Sequence, residues 1–487
     1  MMGCSKRLQM LRRLKAKSLT GMQWGDEGKG RLVDLLAGEV DVIVRWHGGA
    51  NAGHTIVVGD TKVVTHLVPS GVMQGKMGLV AQYCVVDPIL AMKELDDFVD
   101  MGITPQVFFD NHTNMVMPWD FASDAAKEIR RGAKAIGTTG RGIGPCYGSR
   151  VDRSSRFVFS EMLNVDKFAE KFDEIRDMKI RELESIRRAM PKKYKSKITE
   201  LINKMWAVQP DQYLDEVGPN IGDYLVNVVN VISDLTQQGK SIGFEGAHGM
   251  LLDVDYGTRP FVTSSNIIPL MIPAAIGRAI STYNVGVLKA YQTRVGEGPM
   301  PTELFDETGV YLQQKGGEVG ATTGRNRRCG WLDMVLASYT ASFGIHSLGI
   351  TKVDVLSGLD EIKLCIGYRA SDGAEWRLDE NSGMSVRGWD KFDITKLEEY
   401  EPIYETHPGF EMDGKDYCCC RDLPENLRSY IHRVSDLLNL SVDTITFGPE
   451  RSQYLDVQKC NVGRNPCSHD EKHQDSSGGC KDCGNCS

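Results

Sequence analysis

Apolar, β-branched runs recur along the chain with room for a helix between most of them. They occupy residues 40–46, 63–68, 79–86, 106–110, 242–244, 285–291, 348–355, 362–368 and 444–447. Several are continuous rather than alternating, the pattern of strands whose two faces are both covered. Helix-compatible stretches lie between them, at 89–99, 122–130 and 220–238. Such alternation builds an α/β fold with a large, mostly parallel central sheet and helices on both faces. The stretch at about 160–206 breaks the pattern. It is rich in Glu, Lys and Arg, with Phe168, Phe172, Ile175, Met178, Ile180, Leu183 and Ile186 at helical spacing. It reads as a helical insertion with one solvated face.

Chemistry gathers where these runs end. The loop Gly-Met-Gln-Trp-Gly-Asp-Glu-Gly-Lys-Gly at 21–30 opens directly into a helical-looking 31–37. Glycines let successive backbone N–H groups converge on an anion, and a helix N-terminus adds positive dipole. Lys29 supplies a point charge for phosphates. The loop departs twice from the P-loop pattern G-x-x-x-x-G-K-[ST]: Gln23 replaces the first glycine, and Gly30 replaces the Ser or Thr. A P-loop holds Mg²⁺ with that hydroxyl, so Asp26 becomes the carboxylate available to a metal. A plain strand–helix turn is the bland alternative; a lysine and two acids inside it favour phosphate binding.

Six polar clusters sit just after expected strand residues: 47–55, 137–145 (after Ile136), 245–249, 292–299, 351–354 and 446–451. Ligands of open α/β sheets bind beyond the carboxyl ends of the strands, so one extended, P-loop-like, GTPase-related site is expected. Thr138, Thr139 and Arg141 read as an anion cradle. The glycine-hinged stretch 320–328, with Arg325, Arg327 and Arg328, suits a small anion, because guanidinium forks bind carboxylate or phosphate in pairs. His54, in a glycine-rich turn, reads as an acid–base or phosphate contact. Thr351-Lys-Val-Asp354 has the form [NT]-K-x-D, in which the carboxylate accepts from guanine and the lysine stem packs on the ring.

A formal charge of −8 argues against a general nucleic-acid binder, and no stretch reaches the length of a membrane span. The thirteen cysteines, an odd number in a chain of 487 residues, favour a reducing, cytoplasmic setting over a disulfide framework. Three regions are expected: a basic extension at 1–18, a single catalytic domain at 19–456, and a tail at 457–487. The tail carries Cys460, Cys467, His469, His473, Cys480, Cys483 and Cys486, and its Cys-x-x-Cys steps are a candidate zinc or soft-metal site. The run Cys418, Cys419 and Cys420 has no physical account.

Taken together, the motifs resemble those of the adenylosuccinate synthetase family. The resemblance rests on 23–30, 51–55, 137–145, 262–266, 293–296, 301–304, 321–325, 330–333 and 351–354, in the family's order. It implies GTP-dependent ligation of L-aspartate to IMP, giving adenylosuccinate, GDP and phosphate through a 6-phosphoryl-IMP intermediate. Asp26, His54 and Lys29 would be catalytic. GTP would meet Gly25, Glu27, Gly28, Lys29, Gly30, Gly53, His54, Thr55, Lys352, Asp354, Thr446, Gly448 and Pro449. IMP would meet Asp26, Asn51, Thr138, Thr139, His248, Thr263 and Arg325, with Arg153 reaching across a homodimer. L-Aspartate would meet Thr322, Thr323, Arg325 and Arg327. One Mg²⁺ per subunit would be held by Asp26 and the Gly53 carbonyl.

Four departures stand out. His248 takes a position where the family usually has Gln. Residues 267–273 read Ile-Ile-Pro-Leu-Met-Ile-Pro in place of a glycine-rich stretch, which predicts a remodelled ribose or base side. Asn326 interrupts the arginine run. Lys15 and Lys17 fall where the first, central strand is expected, and buried lysines there would be costly. The first two motivate an alternative, a relative aminating a (deoxy)guanylate, although such relatives often alter the loop acid and Asp26 is kept. A non-catalytic GTP- or IMP-binding regulator is the third reading.

Overall fold

Seven of the nine apolar runs fall in one ten-stranded sheet. Of the other two, 63–68 does not join it, because Thr61–Thr65 pairs antiparallel with His54–Val58 as a separate hairpin. In chain order the strands of the large sheet are β1 (Ala16–Gly21), β2 (Val42–Arg45), β3 (Met77–Val80), β4 (Val107–Asp110) and β5 (Leu225–Val226). The rest are β6 (Ile242–Gly249), β7 (Tyr283–Lys289), β8 (Ser347–Thr351), β9 (Ser441–Thr446) and β10 (Tyr454–Asp456). Across the sheet the order is β10-β9-β8-β7-β1-β6-β2-β3-β4-β5. Every pairing is parallel except β9 with β10. All of β2 and β8 is buried, as expected where helices cover both faces. The computed structural model describes residues 10–458 apart from 59–60, 320–325, 379–391, 415–416, 418, 449 and 451.

The lysines before the loop do not disrupt the sheet. β1 lies at its centre, between β6 and β7, and begins at Ala16, inside the stretch expected to be an extension. Lys15 precedes it and is exposed. Lys17 sits at the strand's outer end and reaches Glu39 at 2.6 Å, so no ammonium is sealed in the core. Just upstream, Arg12 pairs with Asp443 at 2.6 Å.

Two other expectations are corrected. The stretch 220–238 is not one helix: Gly218–Tyr224 ends, Leu225–Val226 pairs with the edge of β4, and Val228–Gln237 starts afresh. Asn227 causes the restart, because its side chain caps Asn230 N at 3.0 Å. The run 362–368 lies outside the main sheet. As Glu361–Ala370 it pairs antiparallel with Tyr400–Pro408 and Glu375–Arg377, and that smaller sheet shares an apolar core with β7 and β8. The insertion is helical as expected, with Val165–Ala189 and Lys192–Ala207 between β4 and β5. Its Phe172 meets Trp119 at 5.1 Å.

Trp119 belongs to the helix Pro118–Arg131, whose third residue is Asp120. Asp120 is buried and accepts from Met117 N at 2.9 Å. Burial pushes its carboxyl up to about 7; the amide bond, Lys179 and Lys127 oppose the shift and Asp124 adds to it. A raised acid binds its proton more tightly when folded. Its stabilising contribution is therefore complete below the ordinary aspartate range and is lost as pH rises through about 7, at roughly 1.4 kcal/mol per unit. Urea midpoints at pH 5 and pH 8 should differ less in Asp120→Asn than in the unaltered protein. An equal difference would remove Asp120 as the cause.

Candidate active site

β1 ends at Gly21, and the chain turns through the glycine loop into α1 (Lys29–Ala37). Gly25, Asp26 and Gly28 are all left-handed, with φ of 90°, 59° and 81°. Aspartate is one of the few non-glycine residues that tolerate this region. No side chain caps α1, so its first amides are left to other acceptors, and Lys29, Gly30 and Arg31 of its first turn line a cleft.

Inside the turn stands Glu27. Its Oε1 accepts from the amides of Gln23 and Gly25, each at 3.0 Å, and its Oε2 from Lys29 Nζ. The side chain is fully buried. Gly21 and Gly249 must be glycines, since a Cβ on either would collide with this carboxylate. Glu27 was expected against GTP; its carboxylate is instead spent on holding the loop, leaving only its backbone to a ligand.

The loop forms one wall of a cleft of about 600 Å³. Gly25, Asp26, Gly28, Lys29, Gly30, Asn51, Gly53, Thr138, Thr139, His248, Thr263, Arg327 and Lys352 all line it, as does Arg294. Five of the six clusters therefore converge on the cleft, 446–451 contributing nothing to its lining, and one needs a correction of origin. The 137–145 cluster follows the helix Pro118–Arg131 and a short 3₁₀ turn, not a strand. Glu128 on that helix pins it, accepting Gly137 N at 2.8 Å. Asn51 Nδ2 donates to Thr263 Oγ1 at 3.2 Å, while Asn51 Oδ1 is buried without a hydrogen-bond partner.

Across the cleft lies an ionic network. Arg327 Nε donates to Asp26 Oδ2 at 2.7 Å and Arg327 Nη1 to Glu318 Oε2 at 2.6 Å. Glu318 Oε1 accepts from Lys352 Nζ at 2.8 Å, from Lys289 Nζ at 3.1 Å and from the Tyr291 hydroxyl. Burial alone would raise the Glu318 carboxyl. Lys289, Lys352 and Arg327 override it and hold the group well below the carboxylate range. Burial lowers Lys289 to about 8, against the pull of Glu318.

At the guanine-type motif, Thr351 donates to Glu27 O at 2.6 Å, locking β8 to the loop. Asp354 Oδ1 is buried with no hydrogen-bond partner, an acceptor awaiting a donor. Arg31 of α1 donates to Gln453 O at 2.6 Å and to the carbonyls of Gly448 and Glu450. It thereby ties the helix behind the loop to the turn after β9. Thr446 is buried at the end of β9, and Gly448 holds a φ of 74°. Neither they nor Asp354 lines the cleft itself.

Other expected residues lie elsewhere. Arg153 ends the helix Ile143–Asp152, exposed and with φ 64°. Thr322, Thr323, Arg325 and Pro449 are outside the described residues, as are the side chains of His54 and Thr55 and the tail cysteines. Nothing supports zinc on the tail. Among the described residues no three His, Cys, Asp or Glu are gathered for a metal, and no helix is long and apolar enough to cross a membrane. Residues 267–273 do not remodel the cleft: Ile267, Ile268 and Ile272 are core residues. Sequence reasoning missed Glu318, Lys289 and Arg31. The one available signal was an acid, Glu318, standing beside a glycine hinge and a cationic run.

A parallel sheet, a phosphate-type loop at its centre and an arginine–carboxylate network over one cleft define a nucleotide-using α/β enzyme. The family model for adenylosuccinate synthetase matches residues 18–455, and the chain belongs to that family. The adenylosuccinate synthetase of Desulfatibacillum aliphaticivorans is 40% identical over 450 residues, covering 90% of this chain and 98% of that one. The fully ligated adenylosuccinate synthetase of Plasmodium falciparum is 31% identical. It superposes with a TM-score of 0.77 over 90% of this chain and 99% of its own. Cyanophage S-2L succinoaminodeoxyadenylate synthetase, bound to dGMP and dATP, shares the fold at 16% identity and a TM-score of 0.55, covering 91% and 96%. The guanylate alternative is therefore not favoured. The protein is a GDP-forming carbon–nitrogen ligase joining L-aspartate to IMP in AMP synthesis.

Proposed function

We propose that the cleft performs this ligation with Asp26 as base, in a cytoplasmic homodimer. The supporting observation is the 2.7 Å contact between Asp26 and Arg327. It puts a candidate base and a candidate carboxylate binder side by side, where the IMP and aspartate halves must meet. Asp26 takes the N1 proton of IMP, and O6 attacks the γ-phosphorus of GTP. The O6–P bond forms as the bridging P–O bond breaks and GDP leaves. Lys29 and the first amides of α1 neutralise the transferring charge, and His54 hydrogen-bonds it as general acid. The aspartate amine then attacks C6: the N–C6 bond forms, the C6–O bond breaks with its electron pair leaving on phosphate, and the amine's surplus proton passes to solvent. Phosphorylation has turned a poor leaving group into a good one.

Asn51, Thr138, Thr139, His248 and Thr263 hold IMP; Thr322, Thr323, Arg325 and Arg327 hold the amino acid. Arg153, exposed at a helix end, reaches the IMP phosphate of a partner subunit; full activity from a monomer would exclude that role. The family uses Mg²⁺, and the donors fit it. Asp26 is 34% exposed, and Gly53 lines the same cleft. Both offer hard oxygens, and Mg²⁺ commonly takes one or two carboxylates and leaves the rest to water and phosphate. When bound, it neutralises phosphate charge.

The unpartnered oxygen of Asp354 supports guanine selection. Asp354→Asn puts an amide where guanine N1–H and the 2-amino group need an acceptor. Loss of a hydrogen bond to a charged group costs about 1.5–3 kcal/mol, so kcat/KM for GTP should fall roughly 10- to 150-fold. Xanthosine triphosphate, whose 2-oxo group accepts, should be used better than by the unaltered protein. Unchanged preference would sink the assignment.

A further inference from the structure

Glu318 has no role in the reaction as assigned, yet its carboxylate links the two halves of the site. Its carboxylate is fully buried and divided between them. Oε1 takes Lys352 at 2.8 Å and Lys289 at 3.1 Å; Oε2 takes Arg327 at 2.6 Å. Lys352 belongs to the base pocket, and Arg327 continues to Asp26 at 2.7 Å. An unbroken chain of contacts thus runs Lys352–Glu318–Arg327–Asp26.

Two features make this chain more than packing. The oxygens of a carboxylate are rigidly linked, so a movement of Lys352 onto a bound base re-aims the oxygen that holds Arg327. The charges also leave a demand for an anion. Three cations (Lys289, Arg327, Lys352) face two carboxylates (Glu318, Asp26). When Asp26 turns to IMP, Arg327 loses one of its two carboxylates and is open to a carboxylate of the incoming amino acid. Fully buried Lys289 keeps Oε1 paired when Lys352 shifts.

We propose that Glu318 is a positioning residue that couples occupancy of the base pocket to the release of Asp26 and the capture of aspartate by Arg327. This rests on the roles given above to Lys352, Arg327 and Asp26. It predicts positive coupling: the KM for L-aspartate falls as GTP rises, by at least roughly fivefold, the lower end of ordinary coupling energies.

The test is steady-state kinetics over a grid of GTP and L-aspartate concentrations at saturating IMP. Glu318→Gln removes the charge and keeps the shape; the dependence of aspartate KM on GTP should vanish, with the KM staying high. Glu318→Asp keeps the charge but is one methylene shorter and cannot meet Lys352 and Arg327 together. It should lose coupling too, and it decides the matter if the Gln variant does not fold. Tyr291→Phe removes a neutral donor from the same oxygen and should keep coupling. The proposal is overturned if the unaltered protein shows no coupling, if either Glu318 variant that folds retains it, or if Tyr291→Phe loses it. Failure of the underlying reading is distinct: Asp354→Asn would leave GTP use unchanged.

Discussion

Asp26→Asn should lose roughly 10²–10⁴-fold in turnover, the usual worth of a positioned general base, while IMP binding stays largely intact. The substitution separates chemistry from structure. Asparagine also tolerates the left-handed backbone that Asp26 adopts at φ 59°, so the turn should persist. Its amide oxygen can still accept from Arg327 Nε, which Asp26 does at 2.7 Å. What is lost is the capacity to take the N1 proton of IMP. Because Asp26 is also proposed to hold Mg²⁺, the assay is run across a magnesium series. Recovery at high Mg²⁺ would assign the loss to metal binding. Activity within tenfold of the unaltered protein, about 1.4 kcal/mol, would show that Asp26 is not the base. IMP affinity, measured by calorimetry without GTP, checks that the pocket survives.

Much of this site is legible in the sequence, and what is not has a common cause. Continuous apolar runs announce a covered parallel sheet, and β2 and β8 are buried throughout. Motif composition picked out Asp26, Arg327 and Lys352, and the family resemblance added Asn51 and Thr263; all five line one cleft. Sequence cannot say which way a side chain in a tight turn points. Glu27 and Asp26 are neighbours with the same chemistry, yet one is sealed under the loop and the other faces the cleft. Left-handed backbone at Gly25, Asp26 and Gly28 sets that difference, and no periodicity encodes it. Long-range partners are equally silent. Glu318 and Lys352 are 34 positions apart, and Arg31 reaches a turn more than 400 positions away. Lys17 errs in the other direction: its residue type argues against a central strand, but its place at the strand end and Glu39 make it harmless.

The same distinction between a ligand and an organiser makes Glu27→Ala the second large effect. If Glu27 only touched nucleotide, truncation would raise the KM for GTP and leave stability alone. The geometry predicts otherwise. Truncation strips the partner from Lys29, which is 4% exposed, and leaves the amides of Gln23 and Gly25 without an acceptor. An uncompensated buried charge costs about 3–5 kcal/mol, and each orphaned buried amide about 1–3 kcal/mol. Even with water entering the space, the melting temperature should fall by several degrees, and kcat/KM for GTP by at least about a hundredfold as the loop loses its shape. Glu27→Gln should fall between, because one amide oxygen can serve Lys29 or the backbone N–H groups but not both. An alanine variant with an unchanged melting temperature and a raised KM for GTP would return Glu27 to the list of nucleotide contacts. A joint loss of stability and activity, partly relieved by glutamine, is the result expected of a carboxylate that builds the loop from inside.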